Sequence, residues 1–170
     1  MLDTSKIRVI PDFPKKGIQF LDITTIMNNA DYFQEVFNMV LEMAKEVKPD
    51  VIVGLEARGY FFAPALALAL HVPFVPIRKA GKLPYTTYKA SYQLEYGEAS
   101  IEIHTDAMKE NQRVLIFDDI LATGGTAAAA LELVKNFNPS FIATHFLMEI
   151  GFLKGRSTFT ADDIRSLHLV

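Results

Sequence analysis

The chain has 170 residues, half of them apolar and 22% charged, which suits one globular domain with a full hydrophobic core and excludes a disordered chain. Its formal net charge of -3 supplies no basic field for nucleic acid, so an anionic ligand needs a local cationic site. With no cysteine, disulfide scaffolds and thiolate chemistry are excluded too.

Taken in chain order, the first residues show no apolar signal core behind a basic end, and the expectation is a cytoplasmic chain. Residues 31–47 predict an amphipathic helix, with Phe33, Val36, Phe37, Val40, Leu41, Ala44 and Val47 at helical spacing. Asp31 is the expected cap, with Gln34 three residues on as in a capping box, and Pro49 closes the helix. Residues 51–55 form a short apolar run ending near a glycine, read as a buried strand. The stretch 59–77 carries no formal charge, but Pro64, Pro73 and Pro76 interrupt it, so it reads as a buried helix (61–70) and a buried strand (73–77), not a membrane span.

Residues 80–97 hold Gly81, Pro84 and Gly97 among tyrosines and threonines without a sustained period, and a connection that long in a compact domain suggests a lid. Residues 99–104 alternate weakly, like an exposed strand, and 113–117 form a core strand. Residues 126–137 are alanine-rich and helical up to Asn138-Pro139, and 141–150 form a further strand. The tail to Val170 carries no pattern. Strand and helix in alternation predict an α/β domain, a parallel twisted sheet flanked by helices, with ligands at the carboxyl ends of its strands.

That rule directs attention to Val114-Leu115-Ile116-Phe117-Asp118-Asp119-Ile120-Leu121-Ala122-Thr123-Gly124-Gly125-Thr126. It is a buried strand, two acids, a small-residue turn and a helix start. Backbone N–H groups at such a start lack partners and favour an anion, and Gly124 and Gly125 let the backbone approach a phosphate. The Gly-Lys-Thr ending of a Walker loop is absent. Two neighbouring carboxylates beside a phosphate make sense if they face sugar hydroxyls or a magnesium ion carried by the substrate.

This block resembles the phosphoribosyl pyrophosphate signature of type I phosphoribosyltransferases, and the resemblance extends along nearly the whole chain. Pro11-Asp12-Phe13-Pro14, Gly17-Ile18 and Phe20-Leu21-Asp22-Ile23 are similar to the base-recognition segment of the adenine phosphoribosyltransferases. Gly54-Leu55-Glu56-Ala57-Arg58-Gly59-Tyr60 resembles their pyrophosphate loop. Ile77-Arg78-Lys79-Ala80-Gly81-Lys82-Leu83-Pro84 and Tyr92-Gln93-Leu94-Glu95-Tyr96-Gly97 resemble the two sides of their flexible loop.

The resemblance implies one domain over 1–170, with a small hood from about 1–30 and 151–170 and a flexible lid over about 80–97. It implies transfer of phosphoribosyl from phosphoribosyl pyrophosphate to adenine, in purine salvage. Ala122, Thr123, Gly124, Gly125 and Thr126 would hold the 5′-phosphate, and Asp118 and Asp119 the ribose hydroxyls. Ala57, Arg58, Arg78, Lys79 and Lys82 would meet pyrophosphate, where cations stabilise the charge that develops as it leaves. Glu95 would transfer a proton with the base, and Tyr96 would gate the site. Phe20 would stack on adenine, with Gln19 and Leu21 beside it, although Leu21 stands where adenine enzymes often carry a basic residue. Ala122 replaces an aspartate of the hypoxanthine-guanine relatives.

Magnesium would arrive with the substrate phosphates, and a homodimer is typical. His71, His104, His145 and His168 show no zinc spacing and read as structural or surface residues, and no protein-bound metal is expected. Another purine specificity such as xanthine, or a sensor that binds phosphoribosyl pyrophosphate without catalysis, are the alternatives. The length and negative charge leave no room for the DNA-binding domain of such regulators.

Overall fold

The computed structural model of the chain describes residues 2–12, 16, 19–93 and 98–170. The expected base segment around Phe13, Pro14, Gly17 and Ile18, and the Glu95 and Tyr96 positions, lie outside the described residues.

Two strands, β1 (Arg8–Pro11) and β2 (Gln19–Asp22), form a small antiparallel sheet of their own, with Val9 opposite Leu21. A single turn, α1 (Thr24–Met27), follows, and Ile7, Ile23 and Ile26 bury this unit against the main core. Helix α2 (Ala30–Val47) places Val36, Val40, Ala44 and Val47 on its buried face, each valine worth roughly 1.5–3 kcal/mol relative to exposure. It starts one residue earlier than Asp31, because the carboxamide oxygen of Asn29 accepts from the Tyr32 N–H and so caps it. Gln34 bonds Asn38 instead of closing a capping box.

Strand β3 (Val51–Leu55) is buried throughout, and α3 (Ala63–Leu70) accommodates Pro64 in its first turn, where no N–H is needed. Strands β4 (Phe74–Lys79), β5 (Thr87–Gln93), β6 (Glu98–His104), β7 (Arg113–Leu121), β8 (Phe141–Glu149) and β9 (Asp163–Leu169) complete a seven-stranded sheet of order β5-β6-β4-β3-β7-β8-β9. Strands β4, β3, β7, β8 and β9 run parallel, while β5 and β6 join antiparallel at one edge. Helix α4 (Gly125–Lys135) covers one face, with Ala130, Leu133 and Val134 packed near Val53, Val114 and Ile116. Helices α2 and α3 cover the other, over Ile52, Leu115, Phe117 and Leu147. Odd residues of β7 thus face one layer and even residues the other, as a strand requires.

The parallel α/β sheet flanked by helices is as expected, with three differences. Residues 87–93 of the expected lid are strand β5, fully paired with β6 from Thr87 to Gln93, because Ala90 faces the core and the ladder satisfies its backbone. Strand β7 runs on through the two acids to Leu121 because β8 pairs with it along that length. The patternless tail is β9, so residues 163–169 belong to the central sheet and not to a hood. As an edge strand with a half-exposed face it shows no clear alternation. No described helix is long and apolar enough to cross a membrane.

Candidate active site

The end of β7 and the start of α4 enclose a hollow lined by Asp118, Ile120, Leu121, residues 122–127 and Phe146. Gly124, at φ 84°, turns the chain into α4 and occupies its cap position without a side-chain hydrogen bond. The first N–H groups of α4 therefore keep their donor capacity for a ligand, and the helix dipole adds to it. Ala122, Thr123, Gly124, Gly125 and Thr126 are all in this lining, as expected from the sequence.

The two acids leave β7 into different surroundings. Asp118 lines the hollow, and its Oδ1 accepts from the Asp119 N–H at 2.9 Å. Asp119 is 2% exposed and turns toward Arg58, whose Nε lies 2.7 Å from its Oδ2. Burial pushes the Asp118 carboxyl well above the ordinary range and the Asp119 charge adds to that. Burial also raises Asp119, while the Arg58 guanidinium pulls it back.

Arg58 begins a 3₁₀ turn (Arg58–Phe61) after β3, where the Glu56–Ala57 peptide is cis. Gly59 follows because nothing larger fits: a Cβ there would stand 2.7 Å from the Phe117 carbonyl oxygen and 3.2 Å from Asp118 Oδ1. That close approach delivers Arg58 to the acids. The same guanidinium lies 5.5 Å from the centre of the Phe20 ring, so one side chain spans the acid pair and the aromatic of β2. Beside Phe20, Gln19 is exposed and Leu21 packs on the core, which explains how an apolar residue is accommodated at that position.

Arg78 sits at the end of β4, where Glu56 accepts from its Nε at 3.2 Å and its Nη2 at 3.3 Å; its Nη1 donates to the Lys82 carbonyl. The hydrogen bond from Arg78 holds Glu56 below the usual carboxylate range. Lys79 and Lys82 expose their side chains, and their backbone N–H groups donate to Glu56 and Glu102. Ala57 lies with Arg58 at the end of β3. The structure thus brings the acids, the small-residue turn before α4, Arg58 and Phe20 together, and places Arg78, Lys79 and Lys82 at and just beyond the end of β4.

Sequence reasoning missed four contributors. Glu56 organises Arg78 and Lys79. Glu102, 1% exposed on β6, accepts from the Lys82 and Leu83 N–H groups, both at 2.9 Å, and so roots the loop after β4. Burial acts to raise the Glu102 carboxyl, but the Leu83 and Lys82 amides, the Thr87 hydroxyl and the Lys89 charge together outweigh it and the net direction is down. Gly155 and Thr158 press on the phosphate turn from behind. Glu56, two residues before Arg58, had only its place in the loop as a signal, and Gly155 only its place in Leu153-Lys154-Gly155-Arg156, which is similar to the family's C-terminal segment; Glu102 and Thr158 act across long sequence separations and had none.

Comparison with known proteins agrees with this geometry. The model of the phosphoribosyl transferase domain matches residues 22–166. An adenine phosphoribosyltransferase of Clostridium tetani is 46% identical over 162 residues, 95% of this chain and 94% of the relative. The crystal structure of the Thermoanaerobacter pseudethanolicus adenine phosphoribosyltransferase matches with a TM-score of 0.92 at 47% identity, covering 98% of this chain and 96% of that one. The Saccharomyces cerevisiae enzyme, complexed with D-2,5-dideoxy-2,5-imino-altritol 1,6-bisphosphate and adenine, matches at 0.88 and 48% identity, covering 96% and 94%. That from Trypanosoma brucei, in complex with AMP, pyrophosphate and ribose-5-phosphate, matches at 0.87 and 25%, covering 98% and 77%. The chain belongs to the type I phosphoribosyltransferase family, among its adenine phosphoribosyltransferases.

Proposed function

We propose that this protein joins adenine to phosphoribosyl pyrophosphate, forming AMP and releasing pyrophosphate. The observation that carries the reading is the continuity from the hollow at the start of α4, through Asp118 and Asp119, to Arg58 and the Phe20 ring. A 5′-phosphate, a ribose and a planar base in that order match those stations. The ligands of the S. cerevisiae and T. brucei relatives are of these kinds.

In this reading the 5′-phosphate sits on the amides of residues 123–126 and Asp118 accepts from a ribose hydroxyl. Asp119 shares its carboxylate between the ribose and Arg58. A base nitrogen attacks the anomeric carbon as the bond to pyrophosphate breaks, and positive charge builds on the sugar ring. The pair of carboxylates favours that charge, while Arg58, Arg78, Lys79 and Lys82 favour the leaving pyrophosphate. The base gives up its proton to Glu95, the expected role of Tyr96 is to gate the site, and water must be excluded because hydrolysis competes. The hard oxygens of the acid pair fit magnesium in part. That ion keeps several water and phosphate ligands, so Asp118 and Asp119 would hold it together with substrate oxygens, where it would neutralise the phosphate charge. A cytoplasmic homodimer is part of the same reading; Leu68 of α3, 83% exposed, supplies apolar surface for a second copy.

The test is pyrophosphate release in the presence of magnesium with adenine, hypoxanthine, guanine or xanthine. Release with adenine alone is expected. Release with xanthine in its place overturns the base assignment, and tight phosphoribosyl pyrophosphate binding without release with any base makes the protein a sensor.

A further inference from the structure

The phosphate turn is built from small residues, and two of them are glycines. Such a segment does not hold its own shape, so something outside it must. Behind it lies a 3₁₀ turn (Gly155–Thr158) that follows Lys154, itself left-handed at φ 53°. Contact between the two runs through backbone and through the Thr158 hydroxyl. A Cβ on Gly155 would fall 2.3 Å from the Ala122 carbonyl oxygen, and a Cβ on Gly124 would fall 2.4 Å from the Gly155 carbonyl oxygen and 2.1 Å from Thr158 Oγ1. Thr158 Oγ1 donates to the Gly155 carbonyl at 2.8 Å and lies 3.3 Å from the Thr123 carbonyl.

This turn is in turn fastened to the sheet. Arg156 Nε donates to both oxygens of Glu149 at 2.8 Å, its Nη1 to the Ile164 carbonyl at 2.6 Å and its Nη2 to Ser166 Oγ at 3.3 Å. Ser166 Oγ donates to Glu149 Oε2 at 2.9 Å. Glu149 is 6% exposed at the end of β8, directly beside Leu121 in register, and the next N–H, of Ile150, donates to the Leu121 carbonyl. One planar guanidinium therefore ties β8, β9 and the turn together immediately next to the residue where β7 gives way to the phosphate turn.

We propose that Gly155, Arg156 and Thr158, latched through Glu149, are positioning residues for the phosphate turn and set the affinity for ligands carrying a ribose 5-phosphate, without contacting them. The assignment of that turn rests on the function proposed above. The brace fixes the Ala122 and Thr123 carbonyls from behind, so the amides of α4 stay aimed at the hollow. A shift of about 1 Å in such a constellation is enough to cost up to 10²-fold.

The experiment compares Gly155→Ala, Thr158→Val, Thr158→Ser, Arg156→Lys and Glu149→Gln with the unaltered protein. It measures KM for phosphoribosyl pyrophosphate and for adenine, binding of ribose 5-phosphate by calorimetry, and Tm. Gly155→Ala and Arg156→Lys are expected to raise KM for phosphoribosyl pyrophosphate and Kd for ribose 5-phosphate about tenfold, with KM for adenine within about twofold. Lysine does not restore the bidentate fork. Thr158→Ser is expected to behave as the unaltered protein and Thr158→Val to weaken ribose 5-phosphate binding. Equal changes in both KM values, tracking Tm alone, would make the turn a general stability element and overturn the proposal. So would unchanged ribose 5-phosphate binding in folded Gly155→Ala and Arg156→Lys. If the unaltered protein binds ribose 5-phosphate but transfers phosphoribosyl from phosphoribosyl pyrophosphate to no base, the catalytic reading fails while the binding comparison still decides the brace.

Discussion

Asp118 and Asp119 are neighbours in the chain, yet one faces a hollow and the other an arginine. Both carboxyls are raised by burial, Asp118 the more. A carboxyl raised in the folded state binds protons there that the unfolded chain releases, so its contribution to stability falls as pH climbs from the ordinary carboxylate value near 3.9 through the raised one. Asp118→Asn removes that penalty. We expect an unchanged or higher Tm at pH 8, no gain at pH 4, and a loss of kcat/KM of about 10²-fold; a large fall in Tm at pH 8 would contradict the account. Asp119→Asn should change Tm at pH 8 in the same direction but less, because the Arg58 guanidinium already offsets part of the burial of Asp119, read by the same melting series. Glu95→Gln is expected to lower kcat by about 10²–10⁴-fold with little change in KM, measured by steady-state kinetics. The types of these residues were readable from the chain. Their unequal environments were not, since Arg58 and Gly59 arrive from β3, far away in sequence.

At the scale of elements, helix α2 was legible from its apolar spacing, but its cap was not, because Asn29 and Asp31 are both good caps and only the backbone at Asn29 is extended. Asn29→Ala should destabilise by about 1 kcal/mol and Asp31→Ala by a few tenths, read from urea midpoints. Strand β5 was read as lid because its tyrosines and threonines lack a period, and a strand at the sheet edge is specified by the pairing it finds with β6. Glu102 fixes where that edge gives way to the loop after β4. Glu102→Ala should raise hydrogen exchange at the Lys82 and Leu83 amides by tenfold or more without changing exchange in β7, seen by mass spectrometry.

For the whole molecule, β9 forms one edge of the sheet and carries a network that reaches helix α2. His145 on β8 is fully buried, with Nε2 3.4 Å from Asp163 Oδ2. Asp163 pairs with Arg165 at 2.8 Å, and Arg165 pairs with Glu46 of α2. Burial lowers the histidine to about 4, against the opposing pull of Asp163. Between the unfolded value near 6.5 and about 4, the unfolded chain takes up a proton that the folded one does not. Acidification across that window should therefore remove about 3 kcal/mol, and His145→Asn should flatten the fall of Tm between those limits. Residues 118–126 by themselves determined the small-residue turn at the helix start, the two acids and the family resemblance, because a candidate anion site at a helix start depends on adjacent backbone and small side chains. The alternation of apolar runs likewise determined the parallel sheet. Only the tertiary structure decided that the tail is a strand, that Glu102 roots the loop after β4, that Asp119 belongs to Arg58, and that Gly155 and Thr158 support the turn. Those are contacts between segments distant along the chain, and a local pattern carries no record of which partner lies across the gap.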